Sequence, residues 1–405
     1  MVHSSPKHKW RSDKLSHLGS SIFAEVAIWK AEARKSGLEV IDLGIGSPDR
    51  APLPEIRHAL SEAVLREDSY SYPASKGSDA FRKQAAKWMK WRFNAEVDPD
   101  EEIVSLMGSQ DGLAHLALAV CNPGDLAIVP DPGYPIYSGS LAIAGVRAWP
   151  LPLLEENAFR PDLESIPDEV WCEAVFILLS FPGNPISVTV DLAYMERLVE
   201  LALKWDVLII HDLAYSEMGF DGYRPISILQ VPGALDTAVE FHSFSKSFNM
   251  AGCRIGFMTG NAEAVGALRE LKSNVDYGVF DPIQEAAVVA LEQAMTSGPV
   301  QGVAALYERR RNVFVEAMAC EGWMVPLPEA TMFIWARLPA EFCAGQTERS
   351  RRLAQELLLK TGVAVIPGSA FGSQGEGFVR IALVEDEERL LEAARRIGEF
   401  LRTNV

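Results

Sequence analysis

The stretch HSFSKSFNMAGCRIGF, residues 242–257, places one lysine, Lys246, between serines and an arginine, Arg254, eight residues later. A lysine amine can form a covalent bond to an aldehyde, and hydroxyl and guanidinium groups can hold a phosphate. A lysine between serines is also a common solvated surface group. The stretch therefore predicts a nucleophilic amine beside an anion site only if other segments of the chain supply matching groups.

Polar and aromatic residues also follow the other predicted strands, at the points where those strands end. They are Ser109 and Gln110 in GSQDG (108–112), Tyr134 in DPGYP, Asn184 in FPGNP, Asp212 with Tyr215 in HDLAY, and Ser243 with Lys246. In open parallel sheets the ligand lies beyond the carboxyl ends of the strands, so these side chains are expected to meet. A Schiff-base lysine, a carboxylate for a pyridinium nitrogen and a cradle for a phosphate match the needs of pyridoxal 5′-phosphate. The sequence therefore predicts a site for that cofactor.

The elements that must position these residues are short apolar runs that alternate with helical patterns between about residue 80 and residue 290. The predicted strands are EIVSLM (102–107), LAIVP (126–130), AVFILLS (174–180), VLIIH (207–211) and AVEFH (238–242). DLAYMERLVELALKW (191–205) is typical of the intervening helices, since its apolar residues recur every three or four positions. This order predicts an α/β fold with a mostly parallel sheet flanked by helices.

A second, smaller α+β unit is predicted further along the chain. The helical pattern of VQGVAALYERRRNVFVEAMACEG precedes a strand in ATMFIWARL, a helix around RRLAQELLLKTG and a strand at GFVRIAL (377–383). The proline-rich PDRAPLP (48–54) and the Gly-Pro pair at 298–299 are the expected crossing points between the two units. We therefore predict a large domain at 49–290 and a small domain formed by 1–48 and 291–405.

Composition and charge exclude several classes of partner. The net charge of −17 repels nucleic acids and anionic lipid surfaces, so an anionic ligand must be held by local donors. The seven histidines show no metal-ligand spacing, and the five cysteines, Cys121, Cys172, Cys253, Cys320 and Cys343, include no CxxC pair. The first ten residues lack an apolar signal core, and no stretch has the roughly 18 apolar residues of a membrane span. We expect a cytoplasmic protein that binds no metal, nucleic acid or membrane.

The segment SFSKSFNMAGCRIG resembles the lysine signature of class I and II aminotransferases, which are pyridoxal-phosphate enzymes of fold type I. Ser243, Lys246, Arg254 and Gly256 stand at that family's spacing. The resemblance covers nearly the whole chain, because IDLGIGSPD (41–49), YSYPASKGSDAFRKQAAKW (70–88), FPGNP, HDLAY and FVRIAL occur in family order. SSIFAEVAIWKAEARKSGLEVIDLGIGSPD and KSNVDYGVFDPIQEAAVVAL look like the branch that contains alanine and LL-diaminopimelate aminotransferases.

The resemblance implies a role for each residue around the cofactor ring. Lys246 would bond covalently to the cofactor, Asp212 would keep the ring nitrogen protonated, and Tyr134 would stack on the ring. Asn184 and Tyr215 would hydrogen-bond the ring oxygen. Without the resemblance, Asp212 could cap a helix, and Asn184, Tyr134 and Tyr215 could be ordinary packing or turn residues.

The resemblance also implies how the phosphate is held. Ser109, Gln110, Ser243 and Arg254 would bind it together with N–H groups at a helix N-terminus. Tyr72 resembles the family's tyrosine that reaches the phosphate bound by the neighbouring subunit, which implies a homodimer with shared active sites. Considered alone, Tyr72 is a surface aromatic residue.

Substrate would be held at Arg380 in GFVRIAL, which resembles the arginine that binds the substrate α-carboxylate. Asn184 would contact the substrate as well, and the turn at 44–46 would lie over it with the Gly46 N–H as a further donor. Strand alternation does not say which way Arg380 points, so a surface ion pair is the alternative interpretation.

The sequence departs from the family pattern at two places. Asn184-Pro185-Ile186-Ser187 replaces the frequent Asn-Pro-Thr-Gly, which affects the local turn geometry. Cys253 replaces a bulky aromatic residue that often precedes the phosphate arginine. Neither departure removes a chemical group from the predicted site.

The implied activity is ping-pong transfer of an amino group from an L-amino acid to a 2-oxo acid, with substrates in the alanine, glutamate and LL-diaminopimelate range. Lys246 would move the proton between the substrate Cα and the cofactor. A β-eliminating C–S lyase is the alternative, since a fold does not fix the reaction type. Related domains also occur in transcription regulators, but the match begins by about residue 20 and the chain is acidic, so we expect no DNA-binding module.

Overall fold

The structure is a computed structural model that describes residue 10 and residues 12–18, 21–297, 302–342 and 347–403. Gly298-Pro299, one of the two predicted domain crossings, and Cys343 lie outside these residues. The strands are β1 (Ile41–Asp42), β2 (Ile103–Leu106), β3 (Leu126–Asp131), β4 (Arg147–Pro152), β5 (Ala174–Leu179), β6 (Leu208–Asp212), β7 (Ala238–Ser243), β8 (Gly256–Gly260), β9 (Phe333–Arg337), β10 (Val363–Ala364), β11 (Ile366–Pro367) and β12 (Phe378–Ala382). The helices are α1 (Ser21–Lys35), α2 (Pro54–Val64), α3 (Asp79–Phe93), α4 (Ser109–Val120), α5 (Pro135–Ala144), α6 (Asp168–Glu173), α7 (Leu192–Trp205), α8 (Ala234–Thr237), α9 (Phe244–Ser247), α10 (Ala262–Val275), α11 (Asp281–Ser297), α12 (Val303–Cys320), α13 (Arg349–Thr361) and α14 (Glu387–Thr403).

The largest sheet has seven strands in the order β2-β8-β7-β6-β5-β3-β4. β8 runs antiparallel to its neighbours β2 and β7, whereas the other neighbouring strands are parallel. Parallel neighbours need crossover connections, which here contain α5, α6, α7 and α8. The predicted α/β fold with a mostly parallel sheet is confirmed. Within the described ranges, no helix combines the length and the apolar character needed to cross a membrane.

Helices cover both faces of this sheet, and the strand sequences reflect it. In β5, Phe176 and Leu178 belong to one buried cluster, whereas Ile177 and Leu179 belong to another. Successive side chains of a strand point to opposite faces, so a strand covered on both faces must be apolar throughout. β5 is accordingly apolar from Ala174 to Leu179, whereas β7 contains the buried Glu240 near its middle.

Two strands of the large sheet, β4 and β8, were not predicted from the sequence. β4 is an edge strand with several exposed residues, and its Pro150 and Pro152 are tolerated because an edge strand leaves N–H groups unpaired. β8 begins and ends with glycine, which obscures the strand pattern. Gly256 is required there, because a Cβ at this position would lie 2.6 Å from the His242 carbonyl oxygen.

Two smaller sheets join the N-terminal segment to the C-terminal part of the chain. β11, β12 and β9 form an antiparallel sheet, and β1 pairs with β10 in parallel. A third buried cluster contains Val26 and Trp29 of α1 together with residues of β9, β12, α12 and α14. Residues from both ends of the described chain therefore pack in one buried cluster.

The loop after β6 is fastened to α3 by a buried ion pair. Arg92 donates from Nε to Glu217 Oε1 at 2.9 Å and from Nη2 to the Ser216 carbonyl at 3.1 Å. The two charged side chains are only 6% and 4% exposed. Burial raises the pKa of Glu217, and the charge of Arg92 opposes this shift. The ion pair fixes the segment that follows the strand end at Asp212.

Arg92→Met is expected to lower the free energy of unfolding by about 3 kcal/mol, because Glu217 remains buried without its cation. The double variant Arg92→Met, Glu217→Met should recover most of this loss, since apolar residues of similar volume then replace the pair. Urea unfolding followed by tryptophan fluorescence measures both changes. Arg395→Met, in the exposed Arg395–Glu399 pair, is the control and should change stability little. Equal losses for Arg92→Met and Arg395→Met would contradict this account.

Candidate active site

The carboxyl ends of β2, β3, β5, β6 and β7 open into one cavity of about 580 Å³. The predicted site residues that line it are Gly46, Ser109, Gln110, Tyr134, Asn184, Asp212, Tyr215, Ser243, Lys246, Arg254 and Arg380. Tyr72 lies elsewhere on the surface and is 89% exposed. The structure thus brings together in one cavity every predicted site residue except Tyr72.

Lys246 lies in the short helix α9, directly after β7. The helix begins after Ser243, whose hydroxyl accepts the N–H of Ser245 at 3.3 Å, and the Lys246 amine donates to the Gly46 carbonyl. Burial, followed by the charges of Arg380 and Arg254, lowers the pKa of Lys246 to about 8. A much larger fraction of this amine is therefore neutral near pH 7 than in an exposed lysine, and the neutral amine is the nucleophilic form.

Asp212 ends β6, and both of its carboxylate oxygens accept hydrogen bonds. Tyr137 donates its hydroxyl to Oδ2 at 2.8 Å, and Ala214 donates its N–H to Oδ1 at 3.3 Å. Burial raises the pKa of Asp212, whereas the hydrogen bond from Tyr137 lowers it. A cation placed against this carboxylate would offset the cost of its burial, and a protonated pyridine nitrogen is such a cation.

Tyr137 was missed by the sequence analysis, although it stands three residues after Tyr134 in DPGYPIY. Tyr134 precedes α5 and Tyr137 lies in its first turn, with their ring centroids 5.9 Å apart. The Tyr134 hydroxyl donates to Gln110 Oε1 at 3.0 Å. The three-residue spacing was the available signal, because residues three apart lie on the same side of a helical turn.

His211 precedes Asp212 and is buried in the sheet. Its Nδ1 lies 2.8 Å from Glu240 Oε2, and His242 Nε2 lies 2.7 Å from Glu240 Oε1. Burial raises the pKa of Glu240, but hydrogen bonds from the two histidines lower it to about 2. Glu240 therefore stays ionised between two imidazoles inside the sheet.

Arg380 in β12 points into the cavity and is 3% exposed, so the alternative interpretation as a surface ion pair is wrong. Its guanidinium carbon lies 4.4 Å and 4.9 Å from the ring centroids of Phe333 and Phe371. Nη1 donates to Asn184 Oδ1 at 2.8 Å, and Nη2 donates to the Gly44 carbonyl at 2.6 Å. Burial lowers the pKa of Arg380 to about 10, and its buried Nε has no acceptor among the described residues. The side chain is thus a planar cation that can still accept an anion as partner.

Arg254 faces the N-terminus of α4 at another part of the cavity. Gly108 precedes α4 at φ +76°, and a Cβ there would lie 2.5 Å from Arg254 Nη2. The guanidinium donates to neutral oxygens, including the Met107 carbonyl at 3.4 Å and the Ser245 hydroxyl at 3.5 Å. Glycine at 108 therefore leaves room for a guanidinium beside helix N–H groups, an arrangement that suits a phosphate.

Ser187, where the sequence departs from the family pattern, anchors the Asn184 turn to the segment that enters β9. The Ser187 hydroxyl lies 2.5 Å from Thr331 Oγ1 and donates to the Phe333 carbonyl at 3.1 Å. Thr331 adopts φ +65°, a conformation that a β-branched residue rarely takes. Ser187 thus contributes a hydrogen bond at this position, and Asn184 still lines the cavity.

These groups fit pyridoxal 5′-phosphate. The cofactor needs an amine that is neutral often enough to attack its aldehyde, and Lys246 has a lowered pKa. It needs a carboxylate for its ring nitrogen, and Asp212 is buried in the same cavity. It needs cationic and N–H donors for its phosphate, and Arg254 meets the start of α4 across Gly108.

Comparison with known proteins agrees with a pyridoxal 5′-phosphate site. Residues 39–397 match the sequence model of a family described as aminotransferase class I and II. The chain is 40% identical over 389 residues to an LL-diaminopimelate aminotransferase of Halothermothrix orenii, which covers 95% of this chain and 97% of that relative. It is also 40% identical over 394 residues to the glutamate-pyruvate aminotransferase AlaC of Escherichia coli, which covers 97% of this chain and 94% of AlaC.

Solved structures agree with the sequence comparison. Substrate-bound BacF from Bacillus subtilis matches with a TM-score of 0.91 and 31% identity, covering 97% of this chain and 98% of BacF. A probable N-succinyldiaminopimelate aminotransferase from Thermus thermophilus matches with a TM-score of 0.86 and 38% identity, covering 94% of this chain and all of that one. The predicted branch and fold type are thereby confirmed. The chain belongs to the class I and II aminotransferases and is a pyridoxal-phosphate-dependent aminotransferase of fold type I.

Proposed function

We propose that this enzyme moves an amino group between an L-amino acid and a 2-oxo acid by a ping-pong mechanism. We further propose substrates in the alanine, glutamate and LL-diaminopimelate range, which the names of the relatives above suggest. The observation that carries the proposal is the buried Arg380 guanidinium, held between two rings in the cavity that contains Lys246. A fixed planar cation orients a carboxylate, and both substrate classes carry one next to the reacting carbon.

We assign the residues around the cofactor ring as the sequence suggests. Pyridoxal 5′-phosphate supplies an electron sink for the negative charge that develops at the substrate Cα. Asp212, held by Tyr137, would pair with the ring nitrogen, and Tyr134 would stack on the ring. Asn184 and Tyr215 would donate to the ring oxygen; burial raises the pKa of Tyr215, which keeps its hydroxyl protonated and able to donate.

The phosphate is assigned to Ser109, Gln110, Ser243 and Arg254. All four line the cavity, and α4 directs its first N–H groups to the same region because it begins at Ser109. The charge of Arg254 and the dipole of α4 both favour an anion. These local donors can hold an anionic phosphate although the protein has a net charge of −17.

Lys246 is assigned the proton transfer. With a pKa near 8, its amine can take the proton from the substrate Cα and deliver it to the aldehyde-derived carbon of the cofactor near neutral pH. Arg380 and the Gly46 N–H hold the α-carboxylate, and Asn184 Oδ1 fixes one side of the guanidinium. The turn at 44–46 packs closely over the cavity, since a Cβ on Gly46 would lie 2.6 Å from Phe333 Cζ. Such a cover helps to exclude water from the reacting atoms.

We propose a homodimer in which Tyr72 reaches the phosphate site of the partner. Tyr72 is 89% exposed, and its ring centroid lies 5.6 Å from that of Tyr277, which is 58% exposed. Two adjacent exposed aromatic rings are typical of a surface that contacts another protein. This assignment accounts for the absence of Tyr72 from the cavity of its own chain.

The domain division and the compartment are also proposals. We assign residues 49–290 to the large domain, which would contain the seven-stranded sheet at 103–260, and 1–48 with 291–405 to the small domain. Support comes from the pairing of β1 with β10 and from the burial of α1 against the C-terminal elements. A cytoplasmic location is supported by the scattered cysteines, of which Cys121, Cys172, Cys253 and Cys320 are free thiols.

The reactivity of Lys246 with the cofactor is expected to increase with pH through about 8, because the neutral amine reacts and burial with nearby charges lowers its pKa. Cofactor-free protein can be mixed with pyridoxal 5′-phosphate between pH 6 and 10, trapped with borohydride and analysed by mass spectrometry. The midpoint is the pH at which adduct formation is half-maximal. Arg380→Met should shift it upwards, since the charge of Arg380 is the largest of the nearby charges that lower the pKa of Lys246. A midpoint near that of an exposed lysine, or an adduct on another residue, would reject the assignment.

Alanine, glutamate or LL-diaminopimelate, added singly to the pyridoxal form of the enzyme, should produce the pyridoxamine form, which absorbance measures directly. Arg380→Met should raise the KM for the active donor roughly 10- to 100-fold, because a charged hydrogen-bond pair to the α-carboxylate is lost. Amines without a carboxylate serve as control substrates, whose KM this variant should change little. Release of ammonia and an oxo acid without any acceptor would instead favour the lyase.

Mixed dimers test the shared site. Lys246→Ala homodimers should lack turnover while still binding the cofactor, and Tyr72→Ala homodimers should bind it more weakly. In a mixed dimer, one site combines the intact Lys246 of one chain with the intact Tyr72 of the other, so activity should return after the two variants are mixed and reassembled. Lys246→Ala mixed with wild type calibrates the subunit exchange. Activity that does not recover would show that Tyr72 does not serve the partner's site.

A further inference from the structure

A buried lysine that the proposed mechanism does not use, Lys272 in α10, bonds to two carboxylates. Its side chain is 0% exposed, and Nζ donates to Asp111 Oδ2 at 2.5 Å and to Asp276 Oδ2 at 2.7 Å. His115 Nδ1 lies 2.9 Å from the other oxygen of Asp111. We call Lys272, Asp111 and Asp276 the Lys272 bridge. It joins α10 to two segments that lie far apart in the sequence.

The first segment is the turn that leads into α4. Asp111 Oδ2 accepts the Met107 N–H at 3.0 Å, and the Met107 carbonyl accepts Arg254 Nη2 at 3.4 Å. Burial raises the pKa of Asp111, but the hydrogen bond from His115 and the charge of Lys272 lower it to about 2. Asp111 is therefore a permanent anion that fixes the backbone next to Ser109 and Arg254.

The second segment is the turn that presents Tyr277. Asp276 Oδ1 accepts the Gly278 N–H at 2.8 Å, so the carboxylate spans the residue between them. Tyr277 adopts φ +60°, a strained conformation for a residue with a Cβ, and it therefore needs support from its surroundings. A Cβ on Gly278 would lie 2.8 Å from the Ala74 carbonyl oxygen, close in sequence to Tyr72. Asp276 thus holds the turn on which the Tyr72–Tyr277 ring contact depends.

Two simpler interpretations explain less. Ligand atoms of Asp111, His115 and Asp276 lie within 4.8 Å of one another, as they would around a metal ion, but the Lys272 ammonium already bonds to both carboxylates. A purely stabilising ion pair is also a weak explanation, because the desolvation of buried charges offsets most of their attraction. Neither interpretation accounts for the hydrogen bonds from the bridge to the two turns.

We propose that Lys272 is a positioning residue for the cofactor phosphate. Through Asp111 it fixes the turn that holds Ser109 and Arg254 in its own subunit, and through Asp276 it fixes the Tyr277 turn beside Tyr72, which serves the partner. This inference rests on the proposed phosphate assignment and on the proposed dimer. Loss of the bridge loosens both groups of phosphate donors and leaves the groups around the cofactor ring in place.

The test compares two aldehydes that differ only in the phosphate. Dissociation constants of pyridoxal 5′-phosphate and of pyridoxal are measured by absorbance on cofactor-free wild type, Lys272→Met and Asp276→Asn. We expect both variants to weaken the phosphorylated cofactor about tenfold, the effect of one lost charged hydrogen bond, and to leave pyridoxal within about twofold. Asp276→Asn keeps an oxygen for the Gly278 N–H, so it remains a test if Lys272→Met fails to fold.

Arg254→Met separates this inference from the assignment on which it rests. It removes a proposed phosphate donor and should lower the affinity ratio, which is the affinity for pyridoxal 5′-phosphate divided by the affinity for pyridoxal. An unchanged ratio in this variant would overturn the phosphate assignment itself. If Arg254→Met lowers the ratio and both bridge variants leave it unchanged, the phosphate assignment stands and the role of Lys272 is refuted.

Arg311→Met is the matched control for stability. Arg311 is a buried cation that bonds to Asp221 Oδ2 at 2.6 Å, and neither residue lines the cavity. This variant should lower Tm without changing the affinity ratio. A ratio that falls as far in Arg311→Met as in the bridge variants would show that general destabilisation explains the effect, and it would overturn the proposal.

Discussion

Three cations gathered in one cavity, Lys246, Arg254 and Arg380, are the constraint on which the site depends. Within the described chain they donate to carbonyl, amide and hydroxyl oxygens, and no carboxylate lies within ion-pair distance of them. The charges of Arg380 and Arg254 lower the pKa of Lys246, so their repulsion is part of what activates the amine. Arg380 is buried, Lys246 is partly buried and Arg254 is exposed. A buried cation without a counter-ion is costly, and a carboxylate that binds Arg380 would relieve that cost. A protein with a net charge of −17 can in this way still bind anions.

The backbone that holds two of these cations belongs to the N-terminal segment. The Gly44 and Gly46 carbonyls accept from Arg380 and Lys246, and Asp42 accepts the Gly44 N–H at 3.0 Å and Lys30 Nζ at 2.7 Å. Arg380 Nη2 donates to the Gly44 carbonyl, whereas its Nε has no acceptor among the described residues. A carboxylate bound at the proposed Arg380 site would therefore share one guanidinium with the backbone of this turn.

The sequence predicted the strand ends well, because the rule behind them is local. An apolar strand followed by polar residues places Asp212 and Lys246 at the carboxyl edge of the sheet, whatever the details of packing. Tyr137 was missed because its contact with Asp212 depends on how α5 docks against the sheet, which a sequence pattern does not give. The direction of Arg380 was open for a similar reason: either face of its strand was compatible with the alternation, and the aromatic partners that hold it are distant in sequence. The ion pairs of Lys272 were missed for the same reason. Its two carboxylate partners lie on α4 and after α10, and they meet only in the folded chain.

The charges around Lys246 also explain why a tyrosine, which is neutral, suits the proposed role of phosphate donor from the partner subunit. A phosphate carries nearly two negative charges, and Arg254 supplies one full positive charge at the start of α4. A second arginine from the neighbouring chain would bind the phosphate more strongly, but its charge would lower the pKa of Lys246 further and weaken that residue as a proton acceptor. A hydroxyl donates a hydrogen bond without adding a charge. Tyr72 can therefore strengthen phosphate binding between subunits and leave the amine at a pKa that suits its task.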